Sequence, residues 1–149
     1  MIYLGADHLG FELKEKVKKW LADWGYQFED LGNDKLDLED DYPDFAIKVA
    51  KKVSRGKEAM GILICGSGVG MDVVANRFAG VRCGLGITPQ QIRIAKRDDD
   101  LNCISLSADY VSEEENKLII QMFLETQFSA VEKYLRRIKK IDSINNINR

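Results

Sequence analysis

The sequence is poor in the residues from which metal sites and disulfide frameworks are built. Its 149 residues include three cysteines, with no Cys-x-x-Cys pair, and a single histidine. A structural zinc site needs four ligands of these types, so we expect none here. We also predict no cofactor. The few cysteines also argue against a disulfide framework and are typical of a reducing cytoplasm.

An excess of charge of one sign is also missing. The 22 Lys and Arg residues nearly balance 24 Asp and Glu residues, and the formal net charge is -2. The molecule as a whole therefore has no broad attraction for nucleic acid or anionic lipid. The apolar run 1–6 lacks the basic region, the long apolar stretch and the cleavage site of an export signal. We predict a cytoplasmic protein whose partners include neither nucleic acid nor membrane.

Hydrophobic residues make up 45% of the chain and charged residues 31%, which is typical of a globular protein. Short apolar runs that are followed by turns predict five buried strands, at 2–4, 27–31, 61–64, 81–85 and 103–106. Stretches with helical spacing lie between them, and two further helices follow the last strand. This alternation predicts one α/β domain, residues 1–149, with a parallel sheet covered on both faces.

Polar residues follow two of these strands. Asp7 and His8 come directly after the first strand, and the segment 65–70 comes after the third. In an open parallel sheet a crevice forms at the carboxyl ends of the strands where the winding direction reverses. The two groups face each other if strands one and three are neighbours. His8 is either structural or part of a site in that crevice, and its position favours the site.

The segment Cys65-Gly66-Ser67-Gly68-Val69-Gly70 joins a strand to a helix. Glycines allow positive φ and close approach of the backbone, and free N–H groups at a helix start bind negative charge. The segment therefore predicts an anion or oxyanion site, and the alternative is a tight turn without chemistry. Nucleotide binding is a minor alternative, because the spacing differs from Gly-x-Gly-x-x-Gly and from the Gly-Lys-Ser/Thr ending of a phosphate loop.

Cys65 stands where the strand ends, so its sulfur is expected beside this turn. A thiolate near a helix N-terminus is stabilised by the helix dipole and could act as a base or a nucleophile. The alternative is a small buried hydrophobic residue, an interpretation that fits Cys83 and Cys103 well. A Cys65-His8-Asp7 triad is disfavoured, because consecutive side chains on an extended segment rarely point at the same partner.

Several spaced motifs together resemble one family over nearly the whole chain. They are Gly5-Ala6-Asp7-His8 with Leu13-Lys14, Asp41-Tyr42-Pro43-Asp44, the run Gly61 to Met71, and Ala75-Asn76-Arg77. In these motifs the chain is similar to the type B ribose-5-phosphate isomerases and the related galactose-6-phosphate isomerase subunits. The resemblance implies a Rossmann-like three-layer αβα domain with an extended C-terminal helix, and interconversion of an aldose phosphate and a ketose phosphate without a metal. It also implies sites between subunits, in a homodimer, a dimer of dimers or a pair with a paralogous subunit.

The resemblance also implies roles for individual residues. Cys65 is expected to be the base that moves a proton through an enediolate, with Ser67 assisting and the turn amides holding the oxyanion. Substrate contacts are expected from Asp7, His8, Tyr42, Gly66, Gly68, Val69 and Gly70. Lys133 and Arg137 lie in a basic run that is either a solvated helix face or, through the C-terminal helix of a dimer, a contact with phosphate.

Three carboxylates stand where the family usually has other side chains. Asp98 and Asp99 occupy the places of a ring-opening histidine and an asparagine, and Asp109 replaces a phosphate-contacting arginine. We expect Asp98 in the catalytic set and Asp99 and Asp109 among the substrate contacts. An aspartate with a pKa of about 3.9 is a poor proton donor at neutral pH unless a neighbour such as Asp99 raises that pKa. Three outcomes fit: an isomerase for an open, unphosphorylated or amine-bearing sugar, a subunit that completes a site with a paralogue, and a non-catalytic sugar-binding protein.

Overall fold

A computed structural model describes residues 1–147 of the chain. Within this range five strands alternate with helices, and two helices close the chain. The elements are β1 (Ile2–Ala6), α1 (Phe11–Asp23), β2 (Phe28–Asp30), α2 (Tyr42–Arg55), β3 (Met60–Cys65), α3 (Val69–Ala75), β4 (Cys83–Leu85), α4 (Pro89–Asp99), β5 (Cys103–Ser107), α5 (Glu113–Glu125) and α6 (Glu132–Ile147). All five predicted strands are present, and β4 begins two residues later than predicted. There the Arg82 amide donates to the Asn102 side-chain oxygen at 2.8 Å instead of joining the strand ladder.

The strands form one parallel sheet in the order β2-β1-β3-β5-β4. Ala6 at the end of β1 is in register with Ile64 of β3, and Cys65 is in register with Ser107 at the end of β5. The chain winds to one side from β1 to β2 and to the other side after β3, so the winding reverses between β1 and β3. The crevice that the sequence predicted therefore lies where Asp7 and Cys65 leave the sheet.

Helices cover both faces of this sheet, and β3 shows how the two layers are separated. Successive side chains of a strand point to opposite faces. Ile62 and Ile64 join an apolar cluster with α1, α4 and α5, whereas Leu63 and Cys65 join a second cluster with α2 and α3. The fold is thus the predicted three-layer αβα arrangement, and Cys65 belongs to the α2–α3 layer.

The last helix, α6, differs from the others because none of its side chains from 132 to 144 is buried. Its contacts with the rest of the chain run mainly through α4. Three of its large apolar side chains remain strongly exposed, namely Leu135, Ile141 and Ile144. The predicted C-terminal helix is therefore present, and its apolar side is largely uncovered by its own chain. No helix within residues 1–147 has both the length and the apolar character needed to cross a bilayer.

Candidate active site

The turn after β3 is fixed in shape by β5. The Ser107 hydroxyl donates to the Gly66 carbonyl at 2.7 Å, and the Ser105 hydroxyl donates to the Gly68 carbonyl. The Asp109 amide donates to the Gly66 carbonyl as well, at 3.0 Å. Gly68 has a φ of 78°, a conformation that favours glycine. Because both serines are buried, the geometry of the turn is set by the sheet.

The Cys65 thiol lies against this turn. Its Sγ accepts the Gly68 N–H at 3.1 Å, so one of the predicted oxyanion donors points at the sulfur. The following helix, α3, has only seven residues, so a backbone amide of the turn, and not a long helix, is what lies beside the sulfur.

The burial of Cys65 also fits its other interpretation, that of a small buried hydrophobic residue. Only 5% of the residue is exposed, and it packs with Val49 and Met71 in the α2–α3 cluster. A base needs only its sulfur to be reached, so both interpretations remain consistent with this position. Ser67, in contrast, is exposed. Its Oγ accepts the Val69 N–H at 3.2 Å, which leaves the hydroxyl hydrogen for another acceptor.

Asp7 and His8, at the end of β1, have different hydrogen-bond partners. Asp7 is 4% exposed, and its Oδ1 accepts the Gly10 N–H at 3.1 Å. Burial raises the pKa of Asp7 above its usual value. His8 turns to the loop before α2, where its Nδ1 lies 2.7 Å from Asp40 Oδ1 and its backbone N–H donates to the same oxygen at 3.0 Å.

These three residues also have the atoms of a potential cation site. One ligand atom from each of Asp7, His8 and Asp40 lies within 4.8 Å of the others. Two of those atoms, however, are already joined by the hydrogen bond between His8 and Asp40. The group fits a hydrogen-bonded pair beside a buried carboxyl better than it fits a metal centre.

Tyr42 and Asp109 approach the turn where glycines leave room for them. A β-carbon on Gly70 would lie 2.7 Å from the Tyr42 ring, and a β-carbon on Gly66 would lie 2.7 Å from Asp109 Oδ2. A cavity of about 470 Å³ opens beside them, and its lining includes Ser67, Val69, Ile87 and Tyr110. We call the group formed by Asp7, His8, Tyr42, Cys65 to Gly70 and Asp109 the carboxyl edge.

The remaining predicted residues lie at the opposite edge of the sheet. α4 begins after the carboxyl end of β4 and ends before the amino end of β5, so Asp98 and Asp99 lie near that amino end. From Cys103 to Ser107, β5 rises four steps of about 3.3 Å, which places these carboxylates roughly 13 Å or more from the Cys65 turn along the sheet. Within one chain they cannot share a substrate with Cys65.

Tyr134 and Lys133 of α6 lie near Asp98. The Lys133 Nζ lies 5.0 Å from the centre of the Tyr134 ring, and the Arg137 guanidinium lies 5.8 Å from it. Asp98 accepts a hydrogen bond from Arg97 Nε at 2.6 Å, and that bond lowers the pKa of Asp98. Within one chain Asp98 is thus an ionised acceptor and not a proton donor. We call Asp98, Asp99, Lys133, Tyr134 and Arg137 the α6 cluster.

Sequence reasoning missed four residues that support the carboxyl edge. Ser105 and Ser107 were part of, or next to, a predicted apolar strand, and their polarity inside it was an available signal. Asp40 and Asn33 lie in the acidic loop 33–41, where nothing in the sequence distinguished them from their neighbours. Their role depends on how that loop folds over the end of β1.

Comparison with known proteins gives one consistent result. Residues 2–141 match the family model described as Ribose/Galactose Isomerase. The probable ribose-5-phosphate isomerase B of Mycoplasma pneumoniae is 39% identical over 140 residues, which cover 94% of this chain and 91% of the relative. The ribose-5-phosphate isomerase B of Mycobacterium tuberculosis is 33% identical and covers 92% of this chain, with 85% of its own length matched.

A related solved structure agrees with the fold. The ribose-5-phosphate isomerase B of Mycoplasma genitalium, with bound ribulose-5-phosphate, superposes with a TM-score of 0.93 at 37% identity, covering 97% of this chain and 95% of that one. Fold and site thus define an α/β protein with a thiol-bearing glycine turn at the reversal point of a parallel sheet. The chain belongs to the ribose/galactose isomerase family, which confirms the resemblance drawn from its motifs.

Proposed function

We propose that the chain is an aldose–ketose isomerase of sugar phosphates, a single catalytic domain of residues 1–149 in which Cys65 is the base. The relatives carry the name ribose-5-phosphate isomerase B, and one related structure contains ribulose-5-phosphate. The observation that carries the proposal is the Gly68 N–H donated to Cys65 Sγ, in a turn beside Asp7 at the reversal point of the sheet.

The proposed reaction moves one hydrogen between neighbouring carbons. The Cys65 thiolate removes the proton from C2 of the open-chain aldose, and the electron pair moves to O1 to give an enediolate. The thiol then returns the proton to C1, while the proton of the O2 hydroxyl passes to O1, which leaves a ketone at C2. Atoms and electrons balance within the sugar, so the proposal includes no cofactor.

The turn is proposed to hold the charge that develops on the sugar oxygens. The backbone amides between Gly66 and Gly70 are the candidate donors, and Ser67 would donate its hydroxyl hydrogen to a substrate oxygen. Removing one such donor typically lowers a rate by about 10²–10³-fold. Asp7 and Tyr42 would bind sugar hydroxyls, and His8 would bind the phosphate or the ring oxygen.

We further propose that each site lies between two copies of the chain. The α6 cluster is too far from its own Cys65 to reach the same sugar, so Lys133 and Arg137 would bind the phosphate held at another copy. Exposed apolar side chains at the carboxyl edge, among them Val69, Val73 and Ile87, and the uncovered side of α6 offer surfaces for such contact. A dimer of dimers and a pair with a paralogous subunit use the same contact.

Asp98, Asp99 and Asp109 favour a second candidate function, which the assay described below separates from the first. Asp98, Asp99 and Asp109 bring negative charge towards a site for a phosphate, and desolvated like charges repel by several kcal/mol. A sugar that is unphosphorylated or bears an amine would avoid this repulsion. A sugar-binding protein without catalysis, alone or with a paralogous subunit, would tolerate it. The free thiols of all three cysteines support a reducing, cytoplasmic setting.

A solvent-exchange assay tests these functions. Pentose and hexose phosphates, with their amino and unphosphorylated analogues, are incubated with the protein in deuterated water, and NMR follows deuterium at the carbon next to the carbonyl. Isomerase action predicts deuterium incorporation with at least one sugar. Binding of a sugar without incorporation would favour the non-catalytic candidate.

Two variants assign the base. Cys65→Ala is expected to lower exchange by about 10²–10⁴-fold, because general-base catalysis is lost, while sugar binding persists. Cys83→Ala serves as the matched control, since Cys83 lies on β4 away from the turn, and it should exchange at the wild-type rate. Full exchange by Cys65→Ala would remove Cys65 from the mechanism.

A further inference from the structure

Asp40 is placed to control the only histidine of the chain. It lies in the loop before α2, 32 residues from His8, and its Oδ1 receives both the His8 backbone N–H at 3.0 Å and the ring Nδ1 at 2.7 Å. A carboxylate only accepts hydrogen bonds, so Nδ1 carries the hydrogen in this contact. The other ring nitrogen, Nε2, can face a ligand, and it donates a hydrogen bond only when the ring is protonated. The His8 side chain is 25% exposed and that of Asp40 only 7%.

The second oxygen of Asp40 is fixed by a chain of hydrogen bonds that leads to a buried lysine. Asn33 Nδ2 donates to Asp40 Oδ2 at 2.9 Å. The Asn33 carbonyl in turn accepts the Lys14 ammonium at 2.7 Å, and that ammonium also donates to Asp30 Oδ2 at 2.6 Å. Lys14 is fully buried. One oxygen of the Asp40 carboxylate is therefore bound by Asn33, which is itself anchored to the buried Lys14, and the other oxygen is bound by His8.

We propose that Asp40 is a positioning residue that fixes the His8 ring with Nδ1 as donor and presents Nε2 to an anionic oxygen of the ligand at the carboxyl edge. The identity of that ligand as a sugar phosphate rests on the proposed function. The pairing of Asp40 with His8 does not depend on it. A loop anchor alone would need neither the contact to the ring nor the approach of both His8 donors to a single oxygen.

The charges around His8 act in the same direction. The hydrogen bond to Asp40 raises the pKa of His8, and the negative charges of Asp7, Asp40 and Asp37 add to this, whereas partial burial opposes it. A protonated imidazolium has a hydrogen on each nitrogen, so Nε2 becomes a charged donor. Binding of an anion through His8 should therefore weaken as the pH rises through the pKa that His8 has in the folded protein.

The sequence provides an unusually direct measurement, because every histidine signal in an NMR spectrum belongs to His8. In the full-length wild-type protein, a long-range ¹H–¹⁵N spectrum at high pH should show the hydrogen on Nδ1, and the titration midpoint should lie above that of an ordinary histidine. A spectrum with the hydrogen on Nε2 would overturn the proposal without any variant.

Variants then separate charge from structure. Asp40→Asn should move the His8 midpoint to lower pH and weaken the response of the His8 signals to inorganic phosphate about tenfold, the loss of one charge-assisted contact. Asp40→Glu, which keeps the charge, should restore both in part. Asp34→Asn is the matched control, since it removes the same charge from an exposed position of the same loop, and it should behave as wild type.

Several outcomes would count against the inference. An Asp40→Asn protein that remains folded by circular dichroism and keeps the wild-type midpoint would refute the positioning role. A wild-type His8 signal that does not respond to phosphate would refute the anion-binding role. Neither measurement needs turnover, so an inactive wild-type protein would refute the proposed function and leave the Asp40 pairing standing.

Discussion

The carboxyl edge and the α6 cluster are built in different ways, although both belong to the proposed site. At the carboxyl edge, buried strands and the two β5 serines hold a glycine turn in one shape, and a buried lysine anchors the loop that grips His8. In the α6 cluster, long charged side chains stand on a helix with no buried residue between 132 and 144. In the proposed site, one chain thus organises the half that transfers the proton, whereas the half that binds phosphate would be completed only by a second chain.

Mixing two inactive variants tests most strongly whether each site combines residues of two subunits. Cys65→Ala and Arg137→Ala are each expected to lose most activity, the first by about 10²–10⁴-fold. If each site combines Cys65 of one subunit with Arg137 of the other, a mixed dimer contains one intact site and one doubly altered site. After unfolding together and refolding, an equal mixture should regain about a quarter of the wild-type activity.

The control is the same mixture made without exchange of subunits, which should stay inactive. A mixture that never regains activity after exchange, or a protein that is strictly monomeric by mass in solution, would contradict the site between subunits.

Asp30→Asn tests whether the carboxyl edge depends on its buried anchor. The change leaves the Lys14 ammonium buried with only part of its partner set, and breaking such pairs costs about 3–5 kcal/mol of the free energy of unfolding. Urea denaturation at pH 7 measures it. Glu29→Gln on the same strand is the control, because Glu29 reaches only the exposed Lys52 at 3.7 Å. A loss for Asp30→Asn no larger than that of the control would contradict the anchor.

The same pair predicts a pH dependence. Burial alone would raise the pKa of Asp30, but the hydrogen bonds from Lys14, the Gly32 amide and Lys18 outweigh it and lower the pKa. A carboxyl whose pKa is lowered by folding stabilises the folded state above its unfolded pKa, and this contribution is lost as the pH falls through the folded value. Wild-type stability should therefore decrease in acid below about pH 4, and Asp30→Asn should show less of this decrease.

Gly68→Ala should have a smaller effect on stability and a large one on activity. A φ of 78° costs a non-glycine residue about 1–2 kcal/mol, and the new methyl would lie 2.7 Å from Leu85 and 3.1 Å from the Leu106 backbone. Gly25→Ala is the matched control, with a φ of 81° and open space around it. Both should lose stability in denaturation, but only Gly68→Ala should lose isomerase activity. Equal activity of the two variants would show that the turn shape is not needed.

The smallest expected effect on stability is that of Asp98→Asn. The contact of Asp98 with Arg97 is partly exposed and joins neighbours in sequence, and ion pairs near the surface contribute little, so the melting temperature should stay close to the wild-type value. The kcat/KM should change nonetheless, because in the proposed site between subunits the carboxylate would face the substrate of another copy. An unchanged kcat/KM for every sugar in the panel would remove Asp98 from the site.

Much of this architecture was accessible from the sequence, for physical reasons that differ between the two regions. β3 is an apolar run buried on both faces, so its position and the turn that follows it were predictable from composition alone. The pairing of Asp40 with His8 was not, because it joins residues 32 positions apart through an irregular loop. The basic run of α6 could be recognised in the sequence, but the pattern of one chain does not specify which subunit's site a helix contributes to.

The hydroxyls of Ser105 and Ser107 bind the backbone around Cys65 to a central strand. This segment therefore cannot loosen alone as a surface loop does. It should open only when the sheet itself unfolds. Its amides are then expected to exchange with solvent as slowly as those of the core strands. Adaptation to a new sugar would fall instead on the exposed last helix, which can change without disturbing the thiol.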